Sequence, residues 1–196
     1  MLREKLKNYN IILASGSPRR QNFFKELDLD FTIDVREVEE VYPPELKGPE
    51  ITDYLAQLKA SVFRNLSEKD ILITSDTIVW KDQVAIGKAT NPSQARAMLQ
   101  NLSGARHEVI TSVCFTSKNF QRTLHDITKV WFKELTDEEI KYYLNTYQPY
   151  DKAGSYGVQE WLGYIGIDKL EGSYFNVMGL PTRLVYKTLL ELADSP

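Results

Sequence analysis

Short apolar runs of strand character alternate with segments of helical period through the N-terminal half of the chain, and this alternation restricts the fold more than any other feature. It predicts an α/β architecture and argues against an all-helical or all-strand domain. Ile11, Ile12 and Leu13 read as a buried strand, Ala14-Ser15-Gly16 as a tight turn, and Ser17-Pro18 as an N-cap followed by proline at the first helical position. FTIDV is the next strand; an acidic run, REVEE, leads into the loop VYPPELKGPE, whose prolines permit no helix interior. From Ile51, the positions Tyr54, Leu55, Leu58, Val62 and Leu66 share one helical face, with Lys59 at its edge. DILITSDTIVW reads as a strand over Ile71 to Ile73 that turns polar at Thr74-Ser75-Asp76-Thr77 and resumes at Ile78, and Lys81-Asp82 closes a hairpin onto QVAIG.

Further on, Asn91-Pro92 caps a helix whose inward positions are Ala95, Met98, Leu99 and Leu102, with Gly104 as its stop. HEVITSVCFT and TLHDITKVWFKE alternate like paired antiparallel strands, and Thr136 with Glu139 forms a capping box ahead of IKYYLNTY. Leu2 to Leu6 reads as a short leading helix, and Pro181 opens a closing amphipathic helix bearing Leu184, Val185, Thr188, Leu189 and Leu192. The stretch from Gln148 to Pro181 carries six glycines, which fit close turns around a ligand and strand bends in a compact sheet equally well.

A chain of 196 residues with 42% hydrophobic content suits one globular domain with a real core. A net charge of −3 argues against a general nucleic-acid or membrane-surface binder, while leaving room for a local basic pocket. No segment has the character of a signal peptide or approaches the ~20 apolar residues of a membrane span, so the expected location is the cytoplasm. Cys114, the only cysteine, sits in a strand pattern and reads as a buried structural thiol. The only two histidines, His107 and His125, lack the spacing for zinc or Ser-His-Asp chemistry. Any catalysis therefore falls to carboxylates and an oxygen-bound divalent cation.

Arg19 and Arg20 occupy the first turn of the Pro18 helix, where unpaired N–H groups and the helix dipole already carry positive charge. Two guanidinium forks there make a phosphate site, or else a surface arginine pair. Lys59, snorkelling from an apolar face, and Lys88, beside Gly87, are ordinary on their own. Asp76 interrupts a strand of Ile, Leu and Val, which is expensive without a partner; it is a candidate metal ligand or general base, with an Asx-type turn as the alternative. Glu37, Glu39 and Glu40 form a solvated acidic run or supply a second oxygen ligand to Mg²⁺. Familiar phosphate motifs fail, since a P-loop around Gly87-Lys88 would need glycine where Asp82 stands and Ser or Thr where Ala89 stands.

Four motifs in order, LASGSPRRQ, SDTIV, DKAGSYGVQ and NVMGLP, resemble the Maf family of nucleoside triphosphate pyrophosphatases, and the likeness runs from about Ile11 to Leu192. The resemblance implies a mixed α/β fold, a twisted sheet with flanking helices, in two lobes around a central cleft, similar to inosine triphosphate pyrophosphatases. It implies hydrolysis of a nucleoside triphosphate to the monophosphate and pyrophosphate with Mg²⁺, Mn²⁺ or Co²⁺. By motif, Asp76 corresponds to the catalytic base; Ser15, Arg20, Lys59 and Lys88 to phosphate-holding positions; Glu40 to an acidic position in metal or water handling; Asp151 and Lys152 to the DKAG motif at the cleft. Arg19, Thr77 and Gln159 match the subgroup acting on dTTP and UTP, where the 7-methyl-GTP subgroup has Trp, Gln and Glu. A glutamine amide donates and accepts at once, which suits the imide edge of thymine or uracil. The chain departs from the pattern behind Lys88, where Ala89-Thr90-Asn91 precedes Pro92 in place of an immediate proline. The implied partners are a nucleotide and, as is common among similar proteins, a second copy in a homodimer. The rival expectation is a nucleotide-sensing regulator of cell division without turnover.

Overall fold

Ile11, Ile12 and Leu13 lie in β1 (Asn10–Leu13) of a computed structural model that describes residues 1–194. Two parallel neighbours flank this strand. β2 (Thr32–Ile33) pairs Ile12 with Thr32, and β3 (Asp70–Lys81) pairs Ile11 with Ile71 and Leu13 with Ile73. Apolar residues on both sides of β1 and β3 mark strands covered on both faces, as parallel strands require. The antiparallel β4 (Val84–Ile86) folds back on β3 as the expected hairpin, but its turn is shifted by one residue from Lys81-Asp82 to Asp82-Gln83, both at positive φ, because Lys81 still pairs with Val84. With β5 (Arg106–Thr116), β6 (Gln121–Phe132) and β7 (Ile167–Glu171), the strands form one mixed sheet in the order β2-β1-β3-β5-β6-β7, β4 lying off this path on β3.

Helices alternate with the strands as the pattern required. They are α1 (Leu2–Leu6), α2 (Pro18–Glu26), α3 (Pro49–Ser61), α4 (Pro92–Leu102), α5 (Asp137–Tyr147), α6 (Trp161–Gly166), α7 (Tyr174–Val177) and α8 (Thr182–Asp194). Asn91 caps α4 by accepting from the Gln94 N–H at 2.9 Å, and Thr136 with Glu139 forms the reciprocal capping box of α5. Ser17 holds the N-cap position of α2, yet its side chain makes no capping bond there.

The chain divides into two compact units, Met1–Asp76 with Thr111–Asp126 and Gly179–Pro196, and Thr77–Ile110 with Ile127–Met178. In the first, α3 lays Ala56 and Ala60 against Leu72, Cys114 and Phe63. The small side chains bring the helix backbone close enough for Thr74 Oγ1 to donate to the Ala56 carbonyl at 2.6 Å. Cys114 is wholly buried, as expected of a structural thiol. The second unit is built on Leu99, Leu102, Phe132, Ile140, Tyr143, Tyr156 and Leu162.

Three local expectations are corrected. FTIDV shortens to the two residues of β2, both exposed, because an edge strand pairs only as far as its single neighbour β1 extends. The α3 stripe is shifted. Ile51, Thr52, Leu55, Ala56 and Ala60 are its buried positions, Tyr54 is exposed, Val62 is the C-cap and Leu66 lies past the helix end. Thr74 to Thr77 do not break β3, which runs unbroken from Asp70 to Lys81; the side chains of Thr74 and Asp76 are accommodated by partners on α3, not by a turn.

Candidate functional site

The predicted site residues fall into one group in each unit. In the first, Asp76 ends the buried stretch of β3, and its Oδ1 accepts from Lys59 Nζ at 2.7 Å. The side chains of both are mostly buried, at 9% and 17% exposure. Lys59 reaches Asp76 from the last turn of α3, and the same ammonium meets Glu40 Oε1 at 3.0 Å from the loop after β2. Two carboxylates from distant parts of the sequence thus converge on one cation. This explains the tolerance of a carboxylate in an apolar strand: the charge is paired where it is buried.

Arg20, from the first turn of α2, ties two more motifs to this cluster. Its Nε donates to the Gly179 carbonyl at 2.7 Å and its Nη1 to the Ser75 carbonyl at 2.9 Å, next to Asp76. Burial lowers the pKa of Arg20 from its ordinary value; the Asp76 carboxylate opposes that, neighbouring Arg19 adds to it, and Glu40 opposes it again. The four charged groups therefore share one field at the start of α2. Ser15 is buried in the turn before that helix, where its Oγ accepts from the Ser17 N–H at 3.3 Å and its carbonyl from Gln21 Nε2 at 3.0 Å.

The second unit holds Thr77, Lys88, Lys152 and Gln159. Thr77 is half-buried in β3, immediately after Asp76. Lys88 is exposed, but its backbone forms an isolated antiparallel bridge with Ala153, and the Gly154 N–H donates to the Gly87 carbonyl at 2.9 Å. Lys88 is thereby tethered to the DKAG segment. The longer connection behind it is absorbed elsewhere, with Ala89 buried and Thr90 donating to Gln94 Oε1 at 2.7 Å from its N–H and 3.0 Å from its hydroxyl. Gly154 adopts φ +68°, and a Cβ there would stand 2.9 Å from Val79 Cγ2, so this glycine serves close packing of the segment onto β3. Lys152 Nζ pairs with Asp151 Oδ1 at 2.7 Å and Glu160 Oε1 at 3.0 Å. Gln159 is half-buried in a turn closed by the Glu160 N–H on the Gly157 carbonyl at 3.0 Å.

Sequence reasoning missed the Ser75 and Gly179 carbonyls that receive Arg20, because a backbone acceptor carries no residue-type signal. It also missed Glu160 and Tyr143; an acidic residue beside Gln159 is unremarkable until its partners are known. Among the described residues no group of three or more His, Cys, Asp or Glu side chains gathers as a metal centre. The pairing of Asp76 and Glu40 on one ammonium nevertheless shows two hard oxygen donors aimed at a common cation position, which fits a cation that takes one or two carboxylates and completes its shell from phosphate and water.

The Maf-like protein family profile matches residues 10–192. The chain is 60% identical over 193 residues to a dTTP/UTP pyrophosphatase of Flavobacterium johnsoniae, covering 98% of this chain and 100% of that one. To a dTTP/UTP pyrophosphatase of Christiangramia forsetii it is 59% identical over 196 residues, covering 100% of each. Among solved structures, the Ham1 protein of Staphylococcus aureus superposes with a TM-score of 0.55 at 14% identity, covering 93% of this chain and 99% of that one. A Ham1 protein of Coxiella burnetii gives 0.52 at 13% identity with the same coverage, 93% and 99%. Likeness at that identity concerns the fold alone. The four motifs that supply Arg20, Asp76, Lys152 and Gly179 thus lie inside a match that takes in nearly every residue, and the chain belongs to the Maf-like family.

Proposed function

We propose that this protein hydrolyses dTTP and UTP to the nucleoside monophosphate and pyrophosphate. The observation that carries the reading is the convergence of Asp76 and Glu40 on Lys59, beside Arg20, in a chain 60% identical to a relative of that name. Asp76 is the catalytic base: Lys59 engages its Oδ1, and Oδ2 orients a water and takes its proton as the water oxygen bonds to the α-phosphorus. The bond from the α-phosphorus to the bridging oxygen breaks, and pyrophosphate leaves. Lys59, Arg20 and Lys88 hold the phosphates and meet the charge that grows on the leaving group, Ser15 and Lys152 adding polar contacts. Arg19, Thr77 and Gln159 select the pyrimidine, the glutamine amide matching the donor and acceptor of the imide edge.

Asp76 and Glu40 would hold a divalent cation, Mg²⁺, Mn²⁺ or Co²⁺, which when bound neutralises phosphate charge and acidifies a water. A homodimer located in the cytoplasm, with residues 1–196 as one domain, belongs to the same reading. It draws on the resemblance; among the described residues no helix is long and apolar enough to cross a membrane.

The test is pyrophosphate release from dTTP, UTP, CTP, 7-methyl-GTP and dITP with Mg²⁺, with Asp76→Asn and an EDTA control alongside. Release mainly from dTTP and UTP, lost in the variant and in EDTA, is expected. Silence on the whole panel with nucleotide binding intact would replace this function by a sensor without turnover.

A further inference from the structure

The turn that presents Gln159 is held by Tyr143 and Glu160, side chains that none of the roles above uses. Tyr143 is fully buried on α5; its hydroxyl accepts from the Gly157 N–H at 3.0 Å and donates to Glu160 Oε2. The other oxygen of that carboxylate, Oε1, pairs with Lys152 Nζ at 3.0 Å. A Cβ at position 157 would stand 2.8 Å from Glu160 Cδ, so the bare Gly157 Cα is what lets the carboxylate lie against the turn. The Tyr143 phenol is pushed above its ordinary pKa by burial and then by the Glu160 carboxylate, which keeps it a proton donor. Lys152 Nζ, with a side chain only 11% exposed, is fixed by this carboxylate and by Asp151.

We propose that Glu160 is a positioning residue for base discrimination: by linking Tyr143, Gly157 and Lys152 it fixes the turn from which the Gln159 amide reads the pyrimidine. The inference rests on the proposed role of Gln159. Its physical basis is that a mostly buried carboxylate with charge-assisted bonds on both oxygens has one rotamer and one position. The residue directly before it in the chain then loses the backbone freedom that would let its amide present either edge to either base. Glu160 itself closes the turn twice, once through its N–H on the Gly157 carbonyl and once through its side chain.

Glu160→Gln keeps the length and one acceptor but removes the charge that Lys152 meets; Tyr143→Phe removes the hydroxyl and leaves the Gly157 N–H unpaired. Each variant is expected to lower the ratio of kcat/KM for UTP over CTP on the order of tenfold, chiefly by raising KM for UTP. The double variant should lose little more than the worse single one, because both break the same chain of contacts. Amide exchange at Gly157 and Glu160 should accelerate in both variants while β3 amides keep their protection. Gln159→Ala is the reference. A ratio that falls in Gln159→Ala but stays at the wild-type value in Glu160→Gln and Tyr143→Phe overturns the inference alone. A ratio unmoved by Gln159→Ala, or no pyrophosphate release by the wild type, overturns the underlying reading and the inference with it.

Discussion

His107 is a group whose protonation the fold opposes strongly, and replacing it by glutamine measures how strongly. The ring is 1% exposed on β5, edge-on to Phe132 and Tyr156 with centroids 5.0 and 5.5 Å away. Its Nε2 meets the Tyr156 hydroxyl at 2.7 Å, while Nδ1 finds no partner among the described residues. Burial, with the Lys81 charge adding, lowers its pKa from 6.5 to about 3. The folded protein therefore keeps the ring neutral, and the unfolded chain binds a proton that the folded one refuses. Stability contributed this way is complete above the unfolded pKa and is lost as pH falls from 6.5 toward 3. At about pH 5 the unfolded imidazole is nearly all charged, so roughly 1.5 pH units at ~1.4 kcal/mol each predict a loss of about 2 kcal/mol relative to pH 7.5. His107→Gln retains a polar atom near the Tyr156 hydroxyl and does not titrate. Urea unfolding followed by fluorescence of the three tryptophans should show a pH-dependent loss about 2 kcal/mol smaller in the variant, the carboxylates being common to both proteins. Equal losses in the two proteins, or a native His107 titrating near its ordinary value by NMR, would refute the burial argument.

Asp76→Asn should lower kcat on the order of 10²- to 10⁴-fold with KM changed only a few-fold, since the role proposed for Asp76 is chiefly to activate water; steady-state kinetics on UTP decide it. Arg20→Lys should lower stability by about 3 kcal/mol, because a lysine ammonium cannot span both the Gly179 and Ser75 carbonyls as the fork does; denaturant midpoints at neutral pH are the measurement. Arg19→Ala should change the preference among nucleotides more than the rate on the best one, and an equal loss on dTTP, UTP and CTP would contradict that role. Asn91→Ala should cost about 1 kcal/mol through loss of the α4 cap, read from a thermal melt, without altering nucleotide preference.

Local chemistry determined much of this protein before any tertiary contact formed. Pro18 behind Ser17, Asn91 before Pro92, and Thr136 with Glu139 placed three helix starts, because caps and proline act within a few residues of themselves. The alternation of apolar runs with helical periods placed the sheet and its flanking helices, and the ordered motifs marked the candidate site residues one by one. What no local rule could reach was partnership across the chain. Lys59 and Glu40 are ordinary surface residues by sequence pattern, and only folding puts both beside Asp76. The same folding keeps Thr74 to Thr77 in one strand by giving Thr74 and Asp76 partners on α3, where their polarity alone reads as a break. It decides that the Arg20 fork grips the carbonyls of Ser75 and Gly179, acceptors that every residue has and no sequence advertises. Glu160 joins Tyr143 and Lys152 for the same reason: side-chain charge is written in the sequence, but the partner that makes burying it favourable is set by the path of the chain.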